Sequence, residues 1–364
     1  TLDGNDAAQP GRLIISNGGI ISNTGTVTMV NAGTNAVTIE SPTGGFVTFR
    51  GNALNLSALS GQIINLGNII YEPVFTTYPN TINITGVARV GAATISFGGR
   101  VHIQTSNASM SVRDGNLTIS GVLRMGSPGA NTRLIIDHGS SMQYGIIIPP
   151  EGKLIAQGTS QTNPDCYIET PSGGLPTYIQ FQGINGGDAA AGFLRYCTIS
   201  NLGNRASGQR GIMTQYLDGS IADVTTAENA GTTEGFTIDG CRLLNAAFGI
   251  GLGFNTAGTP WPSTGNRVTN NTITGLGGTV SEPGYGIEMW LNNAVVTHTV
   301  NGNSVDSYYS GIRWWNVGAS VVFDTNTRVV SNTVYNCTYG LHPRMVLGMI
   351  ADCQFGPNTT ADIW

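Results

Sequence analysis

Charge is what this sequence has least of. Of its 364 residues only 10% are charged, and Lys153 is the sole lysine. Soluble domains usually carry about a quarter. The net charge is -5, and no basic cluster is available to track a phosphate backbone, which argues against nucleic acid. No apolar run approaches the roughly 18 residues that suggest a membrane-spanning helix. No stretch of useful length repeats apolar residues at the helical period, so helices are not expected. Five cysteines, Cys166, Cys197, Cys241, Cys337 and Cys353, make an odd number at spacings that fit no zinc motif. Neither a metal nor a cofactor is expected. Low charge alone does not mean disorder, which pairs high charge with low hydrophobicity, and this chain is 40% hydrophobic. Its surface should be polar but uncharged, built of Asn, Thr, Ser and Gly. That composition suits an extracellular or cell-surface protein. No signal-peptide pattern is visible at Thr1, so either processing removed one or more chain precedes.

What is present is repetition. Val268-Thr269-Asn270-Asn271-Thr272-Ile273 is echoed by Val300-Asn301-Gly302-Asn303-Ser304-Val305 and by Val329-Val330-Ser331-Asn332-Thr333-Val334. Each copy leads on to Gly followed by Ile or Leu: Gly286-Ile287, Gly311-Ile312 and Gly340-Leu341. The same grid, apolar then Asn or Cys at +3 then apolar at +5, also fits Leu194/Cys197/Ile199, Ile238/Cys241/Leu243 and Ile350/Cys353/Phe355. Gly211-Ile212 and Gly249-Ile250 complete the earlier copies. The Gly lies 11 residues after the first apolar position in three copies, and 17 and 18 after it in those starting at Leu194 and Val268. Those two carry insertions, at Gly203–Arg210 and Leu276–Tyr285. Repeats of this length with β-type alternation imply a stack in which each copy buries its apolar face only against its neighbours.

The rest of the chain carries weaker versions of the same signal. Short β-rich runs such as Val27-Thr28-Met29-Val30, Val37-Thr38-Ile39 and Phe46-Val47-Thr48-Phe49 are cut by Asn-Gly and similar turns. We read residues 1–11 as a lead segment, 12–355 as one stacked body and 356–364 as a tail. Within the body, 12–132 is less regular and 133–355 is regular.

Parity explains one copy. Residues two apart on a strand face the same way. Positions 0 and +5 are both apolar but differ in parity, so the chain turns between them. Asn at +3 suits a turn because it adopts the left-handed conformation cheaply. Stacked every ~4.8 Å, Asn271, Asn303 and Asn332 should form an amide ladder, as amides do in cross-β stacks. Cys197, Cys241 and Cys353 then read as small fillers of that ladder. A Cys197–Cys241 disulfide between adjacent copies is the alternative.

The passage from Leu134 to Phe355, with Gly152-Lys153-Leu154-Ile155-Ala156 before Gly158-Thr159 and then Leu194-Arg195-Tyr196-Cys197-Thr198-Ile199, resembles the parallel β-helix regions of secreted bacterial surface, fibre and phage-spike proteins. The Gly-Ile grid resembles the right-handed parallel β-helix of the pectate-lyase-like superfamily. The resemblance implies an all-β fold, a single-stranded solenoid with three short strands per coil. It also implies that the strand carrying Gly-Ile floors a groove and that the preceding loops wall it.

On that strand, inward Ile287, Ile312 and Leu341 place Glu288, Arg313 and His342 in one outward column. Trp290, Trp315 and Arg344 form a second column. Gly251 and Gly253 in the preceding copy should leave a depression, and Trp261 follows the same strand. A glycosidase needs two carboxylates about 5 to 9.5 Å apart. Glu288 is the only acid in the column, and its partner would come from Glu282, Asp306 or Asp324. A lyase would use Arg313 or His342 as base, but the acidic cluster that would hold a cation is missing. A binding reading needs only the tryptophans, which offer broad area and an N–H. The bland reading buries both tryptophans under loops and makes Glu288–Arg313 a mere ion pair.

A stack of parallel strands exposes unpaired backbone at its ends. No capping helix is apparent at Thr1–Pro10 or Gly356–Trp364, so either the chain continues or its ends pair with other subunits. The leading expectation is therefore a secreted or surface structural and adhesive protein that self-associates, end to end or laterally, into a fibre, sheath or layer. The alternative is a polysaccharide-binding or polysaccharide-degrading β-helix.

Overall fold

The computed structural model is an all-β solenoid. It describes strand backbones from Arg12 onward, and from residue 84 to 363 it describes the chain apart from short stretches, the longest being 138–142, 205–209, 223–234 and 254–262. Every sheet pairing is parallel. The strands form sheets A and B of 13 strands each and sheet C of 12, and consecutive strands go to A, B and C in turn. That order is one coil per three strands, wound right-handed as crossovers between parallel strands are. No helix occurs among the described residues. The parallel β-helix inferred from the repeats is the architecture found.

The repeat grid becomes the pairing register. Leu194, Ile238, Val268, Val300, Val329 and Ile350 are successive partners in sheet C. Ile199, Leu243, Ile273, Val305, Val334 and Phe355 are partners in sheet A. Ile212, Ile250, Ile287, Ile312 and Leu341 are partners in sheet B. Apart from Ile350 and Phe355 in the last described coil, all of these are buried. Burying each such side chain contributes roughly 1.5–3 kcal/mol. The strand Ala361–Ile363 pairs with Tyr339–Arg344, so residues placed in a C-terminal tail belong to the solenoid.

The corner between sheets C and A differs in one respect from the sequence reading. The left-handed residue is at +2, not +3. Tyr196, Gly240, Asn270, Gly302, Ser331 and Asp352 all have φ between 53° and 67°. The residue at +2 makes the turn, and this frees the +3 side chain to lie buried along the stack. There the expected ladder forms. Backbone N–H groups of Cys241, Asn271 and Asn303 donate to Oδ1 of Asn271, Asn303 and Asn332 at 2.9, 3.1 and 3.0 Å. The side-chain amides of Asn271 and Asn303 donate to the same acceptors, Asn303 and Asn332, at 2.9 Å each. Each amide also reaches back to a carbonyl of the preceding coil: Asn271 to Ile238, Asn303 to Val268 and Asn332 to Val300.

Cysteines continue the ladder at both ends. Cys197 N–H donates to Cys241 Sγ at 3.3 Å, Cys166 is the register partner of Cys197, and Asn332 Nδ2 lies 3.8 Å from Cys353 Sγ. All five cysteines are free, so the Cys197–Cys241 disulfide is not formed. Burial, with Cys166 and Cys241 alongside, pushes the Cys197 thiol well above its ordinary pKa. A thiol held protonated is a poor nucleophile.

The corner between sheets B and C buries a histidine. His298 is fully buried, with the backbone of Ser263 beside its ring. It shares parity with inward Val296 and Val300. Burial lowers its pKa to about 3.

Two measurements test this account. Asn303→Ala strands amide groups on both sides and should lower unfolding free energy by about 3 kcal/mol, with Asn303→Cys milder because Cys already serves in the ladder. In the unfolded chain His298 takes up a proton below about pH 6.5. Its contribution is therefore complete above that pH and erodes by about 1.4 kcal/mol per pH unit as pH falls toward about 3. Urea unfolding against pH should show this slope, and His298→Leu should flatten it.

Candidate functional site

The outward face of sheet B collects the candidate residues as the parity argument requires. Gly251, Glu288, Arg313 and His342 are successive partners, as are Trp290, Trp315 and Arg344. The strands Tyr285–Leu291 and Ser310–Asn316 put Ile287, Met289, Ile312 and Trp314 into the core. The alternate residues therefore face out.

Facing out here does not mean exposed. Glu288 is 0% exposed, and Arg313 and His342 are 6% and 7% exposed. Arg313 Nη1 donates to Glu288 Oε1 at 2.6 Å, and Trp290 Nε1 donates to the same oxygen at 2.8 Å. The other carboxylate oxygen accepts from Arg210 Nε at 3.1 Å. Arg210 was not singled out in the sequence. It comes from the residue just before Gly211-Ile212, two coils from Glu288. Gly251 lies in the coil between and has no side chain to obstruct it. The depression expected beside Gly251 is spanned by this arginine. The usable signal was an arginine beside the Gly-Ile pair with a glycine at the facing position of the next coil.

Aromatic rings flank the ion cluster on both sides. Trp290 and Trp315 stack with centroids 6.1 Å apart and planes 20° apart. The guanidiniums of Arg313 and Arg344 lie 3.2 and 4.3 Å from the Trp315 centroid. On the other side run Phe248, Tyr285, Tyr309 and Tyr339, at centroid spacings of 5.6, 6.5 and 5.3 Å. Trp290 and Trp315 remain half-buried and Arg344 exposed. An open hollow of about 430 Å³, lined by Trp315, His342, Pro343 and Arg344, lies at this end of the face. His342 is held to a pKa of about 4 by burial and by the nearby charges of Arg313 and Arg344, and Ser310 Oγ lies 3.3 Å from its Nδ1. It is neutral at neutral pH.

The second carboxylate of a glycosidase is not brought to this face by the described residues. Asp306 belongs to sheet A, where it accepts from Ser307 and Asn336. Asp324 belongs to sheet C, is buried, and accepts from the backbone N–H groups of Asn326 and Thr327. Glu282 and Trp261 lie outside the described residues. Among the described residues no group of acids, histidines and cysteines could hold a metal ion. No helix there is long and apolar enough to cross a membrane.

No family model matches the chain, and no curated protein or solved structure matches it either. The class defined on structural grounds is the right-handed parallel β-helix.

A buried carboxylate shared by two guanidiniums is a strong constraint. Glu288→Gln leaves two buried cations without a counterion and should destabilise the protein by about 3–5 kcal/mol, read from denaturant midpoints. If Glu288 were a solvated surface acid, the loss would stay below about 1 kcal/mol.

Proposed function

We propose that this protein is a structural and adhesive β-helix of the cell surface or extracellular space, that it associates with copies of itself into a fibre, sheath or layer, and that sheet B's outward face serves binding and not catalysis. One observation carries the second part. The only acid in the column, Glu288, is sealed from solvent and neutralised by Arg210 and Arg313. A general acid or base must reach the proton it moves, and this carboxylate is taken up by Arg210, Arg313 and the Trp290 N–H. Tryptophan and arginine around an open hollow are the residues that dominate binding interfaces. The uncharged Asn/Thr/Gly surface and the rod architecture support a structural role outside the cell.

A second reading is favoured by the hollow itself. A volume of about 430 Å³ floored by an indole falls in the range of small-ligand pockets, and it supports polysaccharide binding on the same face.

The purified chain should form particles longer than a monomer in negative-stain micrographs, and its sedimentation should depend on concentration. A panel of neutral and acidic polysaccharides incubated with it should yield neither new reducing ends nor unsaturated products. Turnover that disappears in Glu288→Gln variants still folded by circular dichroism would instead establish an enzyme.

A further inference from the structure

The face just described has the wrong sign of charge for its protein. Arg210, Arg313 and Arg344 against Glu288 give it +2, while the whole chain carries -5, so the remainder carries -7. His342 adds no positive charge at neutral pH, because burial and the two neighbouring arginines hold it neutral. Arg344 is exposed at the rim of the Trp315 hollow. A local positive patch with an aromatic floor on an acidic molecule calls for an acidic partner.

The chain itself supplies one. Glu151, Asp188 and Asp218 are all exposed. Each lies between a sheet B strand and the following sheet C strand: Glu151 between Ile146–Ile148 and Lys153–Gln157, Asp188 between Ile179–Gln182 and Ala191–Arg195, and Asp218 between Ile212–Gln215 and Gly235–Asp239. Those sheet B strands are consecutive neighbours. Three coils in a row therefore set one acid each at the same corner. None of the three takes part in an ion pair among the described residues. The stripe borders the sheet that carries the patch.

We infer that the Arg344–Trp315 patch of one copy docks on the Glu151/Asp188/Asp218 stripe of another, so that the chains associate side by side with a stagger. This rests on the self-association proposed above and gives it a surface. From the middle of the stripe, Trp315 is four strands and Arg344 five strands along sheet B, which is a stagger of about 19–24 Å at ~4.8 Å per coil. Two different surfaces meet, so the contact is heterologous. Unless its rotation closes a ring, it repeats without limit and builds a filament.

Sedimentation velocity of the full chain, with circular dichroism to verify folding, tests the contact. Association should weaken by about tenfold or more between ~50 mM and ~500 mM NaCl, since shorter screening lengths suppress it. Arg344→Glu should weaken it about tenfold at low salt, and the triple variant Glu151→Lys/Asp188→Lys/Asp218→Lys should do the same. Mixing the two variants should restore it, because each then offers the charge that the other lacks. Association indifferent to salt, or to either variant, overturns this contact and leaves self-association standing through another surface. Monomers at every concentration remove both. Monomers that bind polyglucuronate through Arg344 would assign the patch to a glycan instead.

Discussion

A buried amide at one corner of three successive coils, each bonded to the next and continued by cysteine on either side, is the constraint from which the rest follows. Parallel strands in a solenoid could slip by a residue, and a slip of one would turn every inward side chain outward. The ladder through Cys241, Asn271, Asn303 and Asn332 opposes this. Each amide satisfies backbone groups of two coils at once. The dry columns of Ile, Leu and Val supply most of the stabilisation. The ladder supplies the register that lets those columns exist.

Register in turn makes the outward face what it is. Because Glu288, Arg313 and His342 recur at one strand position, a carboxylate and a guanidinium are stacked whether or not the local sequence favours them. The rings on either side then exclude water from the pair. Burial of that kind converts a weak surface contact into a strict one: Glu288 is acceptable only while Arg210 and Arg313 remain. The same enclosure that fixes the cluster seals Glu288 from solvent and leaves Trp315 half-buried and Arg344 exposed at its margin.

Much of this was legible in the residues. The apolar–Asn–apolar spacing gave the inward columns and the ladder members, because a stack repeats its local rule and needs no distant information, and the family resemblance implied the three strands of each coil. Three things were not legible. The left-handed residue sits one place before the ladder amide, and its identity ranges over Tyr, Gly, Asn, Ser and Asp, so no consensus marked it. Arg210 reaches Glu288 across 78 residues of sequence, and only the stacking order brings them together. The burial of Glu288 depends on flanking rings from four different coils, which the strand's own alternation cannot reveal. Polarity in the sequence implied solvent, and the neighbouring coils removed it.

Since every rung of the ladder touches only the rung before and the rung after, the spine places no demand on what lies between corners. The stretches of six and seven extra residues in two of the repeats interrupt nothing. Such a molecule keeps apart two kinds of requirement. Its axis is held by a few short polar residues, while the length of the loops between corners is left unconstrained by that axis.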